Sequence, residues 1–247
     1  MEENQTENKL ENNGQNNESN SAKQIAGAIL VAGILIAGAV LLKGNTLPTP
    51  GNIITGNNGT LVTAPAKVVA EDRTLGNTNA KVALVMYEDF QCPFCEKFVK
   101  ESEQTIRDTY VKNGSVQLVY RDFAFLGPES IRAAEAARCA GDQNKFWEYH
   151  DYLYTHQNVE NQGNFSDAYL KDFAKILGLN TTSFNQCLSE DKYMQAVVNS
   201  TNEGKQAGVT GTPKGFIIKD GKVFTTIDGA EPLNTIIQKL DAATRQY

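Results

Sequence analysis

The sequence lacks the excess of basic residues that marks most proteins that bind nucleic acid. Its 23 lysines and arginines are outnumbered by 29 aspartates and glutamates, and the formal net charge is −6. This charge would repel a partner with a polyanionic backbone. We therefore expect no nucleic acid among the partners of this protein.

Cysteine and histidine are also scarce, with four cysteines and two histidines in 247 residues. So few cysteines exclude a small domain built on many disulfides, and they fit one reactive pair plus one structural pair. His150 and His156 are six residues apart on one predicted helix, so they do not share a face. Zinc needs four ligands, and Cys92 and Cys95 have no second closely spaced ligand pair. We expect no metal site and no cofactor.

Long apolar runs are absent except near the N-terminus. Residues 1–23 contain seven asparagines and five glutamates but no aromatic side chain, which predicts a disordered tail. Residues 25–42 are eighteen consecutive Ile, Leu, Val, Ala and Gly residues, long enough to cross a bilayer. The acidic lead-in and the lack of a small-residue cleavage site favour an uncleaved anchor over a signal peptide. We therefore place one transmembrane helix at residues 24–43.

The composition changes again after the anchor. Residues 44–65 are rich in Gly, Asn, Thr and Pro without a sustained hydrophobic period, which predicts a flexible linker. Residues 66–247 alternate between apolar and amphipathic segments and can bury one sizeable core. The lysines around the anchor are too evenly divided to determine its orientation.

One motif organises the folded part: Cys92-Pro93-Phe94-Cys95. The apolar residues 81–87 before it predict a buried strand, and residues 96–111 after it predict a helix. The motif thus lies at the first turn of a helix, where free N–H groups and the helix dipole stabilise a thiolate. We interpret Cys92 and Cys95 as a dithiol–disulfide redox centre, with Cys92 exposed and Cys95 one turn deeper.

The other segments predict an α/β fold with a helical insert. A first strand is predicted at residues 67–71. The strand at 81–87, the helix after the motif and a strand at 116–123 form a strand–helix–strand unit, so the strands at 81–87 and 116–123 are parallel. The remaining predictions are helices at 129–140, 143–157, 166–178, 181–188 and 191–205, a hairpin of strands at 215–219 and 222–226, and a final helix at 232–245. The insert therefore covers residues 127–207, and we interpret its aromatic side chains as core.

A Thr212-Pro213 pair precedes the predicted strand at 215–219. Together with the Cys-x-x-Cys motif and the helical insert, it makes residues 66–247 resemble the DsbA-like branch of the thioredoxin-fold oxidoreductases. The resemblance implies a thioredoxin fold with an inserted all-helical domain. It also implies a cis Thr212–Pro213 peptide bond beside the motif, with both residues binding substrate and tuning the thiolate.

Two positions depart from this family. Phe94 stands where DsbA has a histidine that helps to hold the thiolate, so a less oxidising centre is expected. Met86 stands where many relatives have a buried acid that transfers protons. Glu88 and Asp89 are the nearest acids, and either is a candidate acceptor for the Cys95 proton.

Some DsbA-like proteins carry a second disulfide in the helical domain. Cys139 and Cys187 lie on different predicted helices of the insert, and the alternative is two unpaired buried thiols. We expect a structural disulfide here. It would close a loop of 48 residues and add about 4 kcal/mol of stability by the chain-entropy model.

The resemblance implies a thiol–disulfide oxidoreductase that introduces disulfides into exported proteins. Its partners would be reduced exported proteins and a membrane redox partner that reoxidises it. Because disulfides form outside the cytosol, we expect a single-pass protein of the cell membrane with its catalytic domain on the extracytoplasmic side. The alternatives are a disulfide isomerase or reductase fed by a membrane electron donor, and a redox-inert binding module, against which the intact Cys-x-x-Cys argues.

Overall fold

The computed structural model describes residues 53–55, 61–63 and 67–245. The first two segments are strands β1 (Ile53–Thr55) and β2 (Leu61–Thr63), which pair antiparallel within the predicted linker. The predicted tail and anchor, residues 1–23 and 24–43, lie outside the described residues. Across the described segments, no helix combines the length and apolar character needed to cross a membrane.

A five-stranded sheet forms the centre of the fold, in the strand order β3-β5-β4-β6-β7. Its strands are β3 (Arg73–Leu75), β4 (Val82–Glu88), β5 (Val116–Asp122), β6 (Lys214–Lys219) and β7 (Lys222–Asp228). Strands β4 and β5 are parallel, as predicted, and the other neighbours are antiparallel. The β6–β7 turn contains Asp220 and Gly221, whose φ angles of 50° and 74° suit a two-residue hairpin loop.

The predicted first strand at residues 67–71 is wrong, because the chain turns there and the edge strand β3 begins later. The Val69 N–H donates to the Asp72 carboxylate at 2.8 Å, and the Asp72 N–H donates to the Val69 carbonyl at 3.1 Å. The Arg121 guanidinium donates to the Asp72 carboxylate and to the Lys67 carbonyl. Since Arg121 lies 49 residues after Asp72, local sequence patterns do not reveal this turn.

Helix α1 follows β4 and spans residues 93–111. It consists of an α-helical start at Pro93–Phe98, a π-helical turn at Val99–Glu103, an α-helical stretch at Gln104–Ile106 and a second π-helical turn at Arg107–Val111. The hydrophobic period predicted the helix but not these turns. A π-helical turn bonds residue i to i+5 and so changes which side chains share a face.

The helical insert follows β5, and one more helix ends the described chain. These helices are α2 (Pro128–Gly141), α3 (Phe146–Thr155), α4 (Asp167–Ile176), α5 (Thr181–Ser189), α6 (Met194–Gln206) and α7 (Leu233–Thr244). Each predicted helix boundary lies within three residues of the observed one. The α/β fold with an all-helical insert is therefore confirmed.

Strand β4 is buried over its whole length, because helices cover both faces of the sheet. Alternate side chains enter two clusters: Leu84 packs with Leu240 of α7 on one face, and Val85 packs with Phe216 on the other. The insert forms a third buried cluster, which also contains Cys92 and Cys95. The Cys92–Cys95 motif therefore lies where the sheet meets the helical insert.

Candidate active site

Cys92 and Cys95 lie at the start of α1, where the sequence predicts them. The chain leaves β4 at Glu88, and the Cys92 N–H donates to the Asp89 carbonyl at 3.0 Å. Cys92 is the N-cap residue, and its carbonyl accepts the N–H groups of Cys95 and Glu96 at 3.0 and 3.1 Å. The two thiols are therefore held one helical turn apart.

The two thiols differ in their affinity for a proton. The pKa of Cys92 is lowered to about 6, chiefly by a hydrogen bond from the Cys95 thiol, which outweighs the opposing effect of burial. Thr212 and the backbone N–H groups of Cys95 and Phe94 lower it further. Burial raises the pKa of Cys95 well above its ordinary value, and the Cys92 hydrogen bond and the Glu88 charge add to this. Near neutral pH, Cys92 is a thiolate and Cys95 keeps its proton.

Cys92 is less accessible than expected. We predicted an exposed thiol, but Cys92 is only 5% exposed, whereas Phe94 in the same motif is 62% exposed. The Cys92 Sγ lies against the Thr212–Pro213 loop and donates to the Thr212 carbonyl at 3.3 Å. Thr212 lies 120 positions later in the chain, so the burial of the Cys92 thiol is a tertiary effect.

The Thr212–Pro213 peptide bond is cis, and both residues are buried directly before β6. The Thr212 carbonyl accepts the Cys92 thiol, and the Thr212 side chain lowers the pKa of Cys92. Among the described residues, the Thr212 hydroxyl has no hydrogen-bond partner. It is therefore free to donate to the Cys92 thiolate once the thiol loses its proton.

The two candidate proton acceptors, Glu88 and Asp89, are both 1% exposed but have different surroundings. The Asp89 carboxylate accepts the backbone N–H groups of Gln91, Phe125 and Leu126 at 2.9, 2.9 and 3.1 Å. These bonds clamp the loop after β5 onto the motif, although burial still raises the pKa of Asp89. Asp89 therefore has a structural role, which is to hold this loop against the motif.

The Glu88 carboxylate accepts fewer hydrogen bonds than that of Asp89. Its Oε2 accepts the Tyr154 hydroxyl at 2.9 Å, and its Oε1 has no hydrogen-bond partner within the described part of the chain. The charge of Glu88 raises the pKa of Cys95. Glu88, unlike Asp89, therefore has a carboxylate oxygen without a hydrogen-bond partner among the described residues and acts electrostatically on Cys95.

Sequence reasoning missed a buried cluster around Glu88. One ligand atom each from Glu88, Glu103 and His150 lies within 4.8 Å of the others, and all three residues are buried. We expected no metal site because His150 and His156 do not share a helix face, and we did not consider acids from other elements, two of which the fold brings to His150. Such a set could hold a metal ion, but the Arg107 guanidinium lies 2.5 Å from the Glu103 carboxylate and already supplies a positive charge there.

Gln91, directly before the motif, was also missed. Its amide nitrogen donates to the Ser130 hydroxyl at 2.9 Å, and its amide oxygen accepts the Asn161 N–H at 2.6 Å. The Asn161 side chain in turn donates to the Leu126 carbonyl at 2.8 Å. Two loops of the insert region are thereby fastened around Cys92, and the partners of Gln91 are too distant in sequence for a local signal.

The other two cysteines lie within the insert. Cys139 of α2 and Cys187 of α5 form a disulfide with a Cα–Cα distance of 5.9 Å. Cys139 is 1% exposed and Cys187 is 7% exposed. This disulfide joins two helices of the insert, whereas Cys92 and Cys95 are free thiols.

Comparisons with known proteins agree with this architecture. A family model described as Thioredoxin matches residues 69–239. A Rickettsia bellii protein named as a protein-disulfide oxidoreductase is 28% identical over 152 residues, covering 61% of this chain and 58% of that protein. The Na(+)/H(+) antiporter NhaA 1 of Salinispora arenicola is 30% identical over 176 residues, covering 70% of this chain and 25% of the antiporter. Wolbachia pipientis alpha-DsbA1 superposes with a TM-score of 0.65 at 23% identity, covering 72% of this chain and 92% of that one.

These matches differ in what they establish. The chain spans 25% and 58% of the length of the two curated relatives. The Wolbachia structure, at 23% identity, shows that the fold is that of a DsbA protein. The family model covers more than half of the chain and includes both the Cys92–Cys95 motif and Thr212–Pro213. The chain therefore belongs to the thioredoxin family.

Proposed function

We propose that this protein is a DsbA-like thiol–disulfide oxidoreductase that introduces disulfides into exported proteins by exchange through Cys92 and Cys95. One observation carries the proposal: the thiols are one turn apart, yet the pKa of Cys92 is about 6 while that of Cys95 is raised. Disulfide exchange benefits from this inequality, because a thiol of low pKa leaves readily. The Cys95 thiol, whose pKa is raised, meanwhile keeps its proton.

In the oxidative reaction, a substrate thiolate attacks the Cys92 sulfur of the Cys92–Cys95 disulfide. A bond forms between substrate and Cys92, the Cys92–Cys95 bond breaks, and Cys95 leaves as a thiolate that takes up a proton. A second substrate thiolate then attacks the substrate sulfur and releases the Cys92 thiolate. The substrate loses two electrons, and the protein gains them as a dithiol. In this scheme Thr212 and Pro213 bind the substrate chain beside Cys92.

Glu88 is the proposed proton partner of Cys95, because its Oε1 is unoccupied among the described residues and its charge acts on that thiol. A Glu88→Gln variant tests this role, since the amide keeps the size and loses the titration. We expect a changed pH–rate profile for the Cys95 step. An unchanged profile would remove the role from Glu88.

The proposed location is the cell membrane, with residues 24–43 as a single-pass anchor and the catalytic domain on the extracytoplasmic side. The Cys139–Cys187 disulfide supports this side, because such bonds persist mainly in oxidising compartments. Continued turnover requires a two-electron acceptor, for which we propose a membrane redox partner. Added protease should digest the domain from the outside of intact cells; protection until the cells are lysed would place it inside.

The equilibrium reduction potential of the Cys92–Cys95 pair tests the direction of the reaction. The full chain is equilibrated with glutathione, and the Cys139 and Cys187 thiols are counted separately by mass spectrometry. We expect a potential above about −200 mV, in the range of oxidising members of the superfamily. A value near that of thioredoxin, about −270 mV, would instead favour the reductase alternative.

A further inference from the structure

His150 is a fully buried histidine in α3, with 0% of its surface exposed. The rings of Phe90, Tyr120, Trp147 and Tyr154 lie between 4.9 and 5.7 Å from its ring centre. An apolar side chain would fill this position at lower cost, because burying a polar or charged group without full compensation is unfavourable. Packing therefore does not explain the imidazole.

The two nitrogens of His150 face different environments. Nδ1 lies 2.8 Å from the Asp151 carboxylate, whose side chain is 44% exposed. Nε2 lies 3.9 Å from Oε2 of the buried Glu88 and has no hydrogen-bond partner among the residues that the structure describes. The imidazole thus stands between a carboxylate in the core and a carboxylate at the surface.

Glu88, His150 and Asp151 thus form a series of titratable groups from the core to the surface. Glu88, its inner end, lies beside the Cys92–Cys95 motif. Glu88 accepts the hydroxyl of Tyr154, and Tyr154 shares a buried cluster with Phe90 and Cys95. The charges of both Glu88 and Cys92 raise the pKa of Cys95. A proton on Cys95 is therefore enclosed by protein, and it needs a path to solvent each time this thiol reacts.

Other charged groups also face His150. Arg107 of α1 lies 2.5 Å from Glu103, 2.8 Å from the Asp151 carboxylate and 3.4 Å from Nδ1 of His150. Burial alone would lower the pKa of His150, but the Asp151 hydrogen bond and the charges of Glu103 and Glu88 raise it to about 9. Burial raises the pKa of Glu103. Tyr120 of β5 and Tyr154 contribute hydroxyls whose raised pKa values keep them neutral.

We propose that His150 is a positioning residue that, together with Asp151, relays protons between Glu88 and solvent for the reaction of Cys95. The inference rests on the proposed exchange chemistry at Cys92 and Cys95, and it serves either direction of that exchange. Arg107 already pairs with the Glu103 carboxylate, and this positive charge disfavours a metal ion in the cluster.

The relay operates when Cys95 resolves a mixed disulfide. The Cys95 S–H gives its proton to Glu88, and its sulfur bonds to the Cys92 sulfur while the bond from Cys92 to the substrate sulfur breaks. Because its pKa is raised to about 9, His150 carries a proton on both ring nitrogens. It passes its Nδ1 proton to Asp151 and then to water as Glu88 takes up the Cys95 proton, so one proton leaves for each one taken up. The departing thiolate takes a proton from solvent, so atoms and charge balance.

The test uses the full chain, reduced at Cys92 and Cys95, mixed with excess oxidised glutathione between pH 5 and pH 8. Acid quenching and mass spectrometry separate the attack by Cys92 from the first-order resolution by Cys95. We expect His150→Gln to slow resolution at pH 7 by about tenfold or more. The remaining rate should rise in proportion to the hydroxide concentration. The rate of attack by Cys92 and the equilibrium constant with glutathione should both stay within twofold of wild type.

Two further variants keep the inference falsifiable. Asp151→Asn lies at the half-exposed end of the series, so it avoids a new buried group, and it should slow resolution about threefold or more with the same change in pH profile. His156→Gln, an exposed histidine at the end of the same helix, is the matched control and should leave both steps unchanged. If His150→Gln and Asp151→Asn keep the wild-type resolution rate and pH profile, the relay is wrong. A reducing potential would overturn the oxidase proposal without affecting this result.

Discussion

The two cysteine pairs of this protein occupy regions with opposite properties. Cys92 and Cys95 are free thiols one helical turn apart at the start of α1. Cys139 and Cys187 are 48 residues apart, and their disulfide joins two helices of the insert. The two thiols of the first pair differ in pKa, whereas the second pair is a disulfide bond.

The backbone explains much of this difference. Cys92 is the N-cap of a helix, and its pKa is lowered chiefly by the Cys95 thiol, then by Thr212 and the first N–H groups of the helix. Cys95 is buried, and the charge of Glu88 helps to raise its pKa. Cys139 and Cys187 lie within α2 and α5, where most backbone N–H groups are used by the helix itself. A reactive pair therefore needs a helix start and unequal burial, which the insert does not provide for its cysteines.

The largest expected effect comes from removing the reactive sulfur. Cys92→Ser should reduce thiol–disulfide exchange by at least about 10³-fold, because a hydroxyl neither ionises near neutral pH nor forms the mixed disulfide. Exchange with a thiol-containing peptide measures this loss. The Cys139→Ala/Cys187→Ala double variant is the control and should retain exchange within twofold. Substantial exchange by Cys92→Ser would assign the chemistry to the insert pair.

The same double variant tests the structural pair. Without the 48-residue loop closed by the disulfide, the unfolding free energy should fall by about 4 kcal/mol. The unfolded chain also becomes less restricted, so the dependence on urea should steepen. Urea unfolding with Cys92 and Cys95 kept reduced gives both quantities. A loss below about 1 kcal/mol would mean that this disulfide contributes little to the fold.

The pH dependence of stability sharpens the comparison further. The pKa of Cys92 is about 6 in the fold and about 8.5 in an unfolded chain. Its thiolate therefore stabilises the reduced protein fully above about pH 8.5 and not at all well below pH 6. Between pH 5 and pH 8, the reduced form should gain about 2 to 3 kcal/mol relative to the oxidised form. Urea unfolding of both forms measures this difference, and a pH-independent result would contradict the low pKa.

The smallest expected effect concerns Thr212, which packs against the Cys92 thiol. Thr212→Val removes a hydroxyl that lowers the pKa of Cys92 and keeps the shape of the side chain. The pKa should rise from its value of about 6, and exchange near neutral pH should slow by less than about tenfold. Titration of the thiolate absorbance checks the first expectation. A titration midpoint unchanged by the substitution would show that the backbone N–H groups suffice.

The tertiary structure corrected or completed the predictions wherever a partner comes from a distant segment. Cys92 is covered by Thr212, and the turn that replaces the predicted strand at residues 67–71 is held by Arg121. Glu88 and Asp89 are adjacent in sequence, yet one is bound by backbone N–H groups and the other lies beside His150. These contacts depend on how elements pack, and no short window of sequence contains both partners.

The sequence by itself determined the features that arise from neighbouring residues. The apolar run before the motif, the proline after Cys92 and the helical period of α1 place the cysteines at a helix start, because each signal acts within a few residues. The difference in pKa between the two thiols could not be predicted in this way. The burial of Cys95, the Thr212 contact and the Glu88 charge that produce it all come from the tertiary structure. Local sequence signals thus located the proposed redox centre. The fold decided its electrostatics, because electric fields and burial depend on position in space and not on order along the chain.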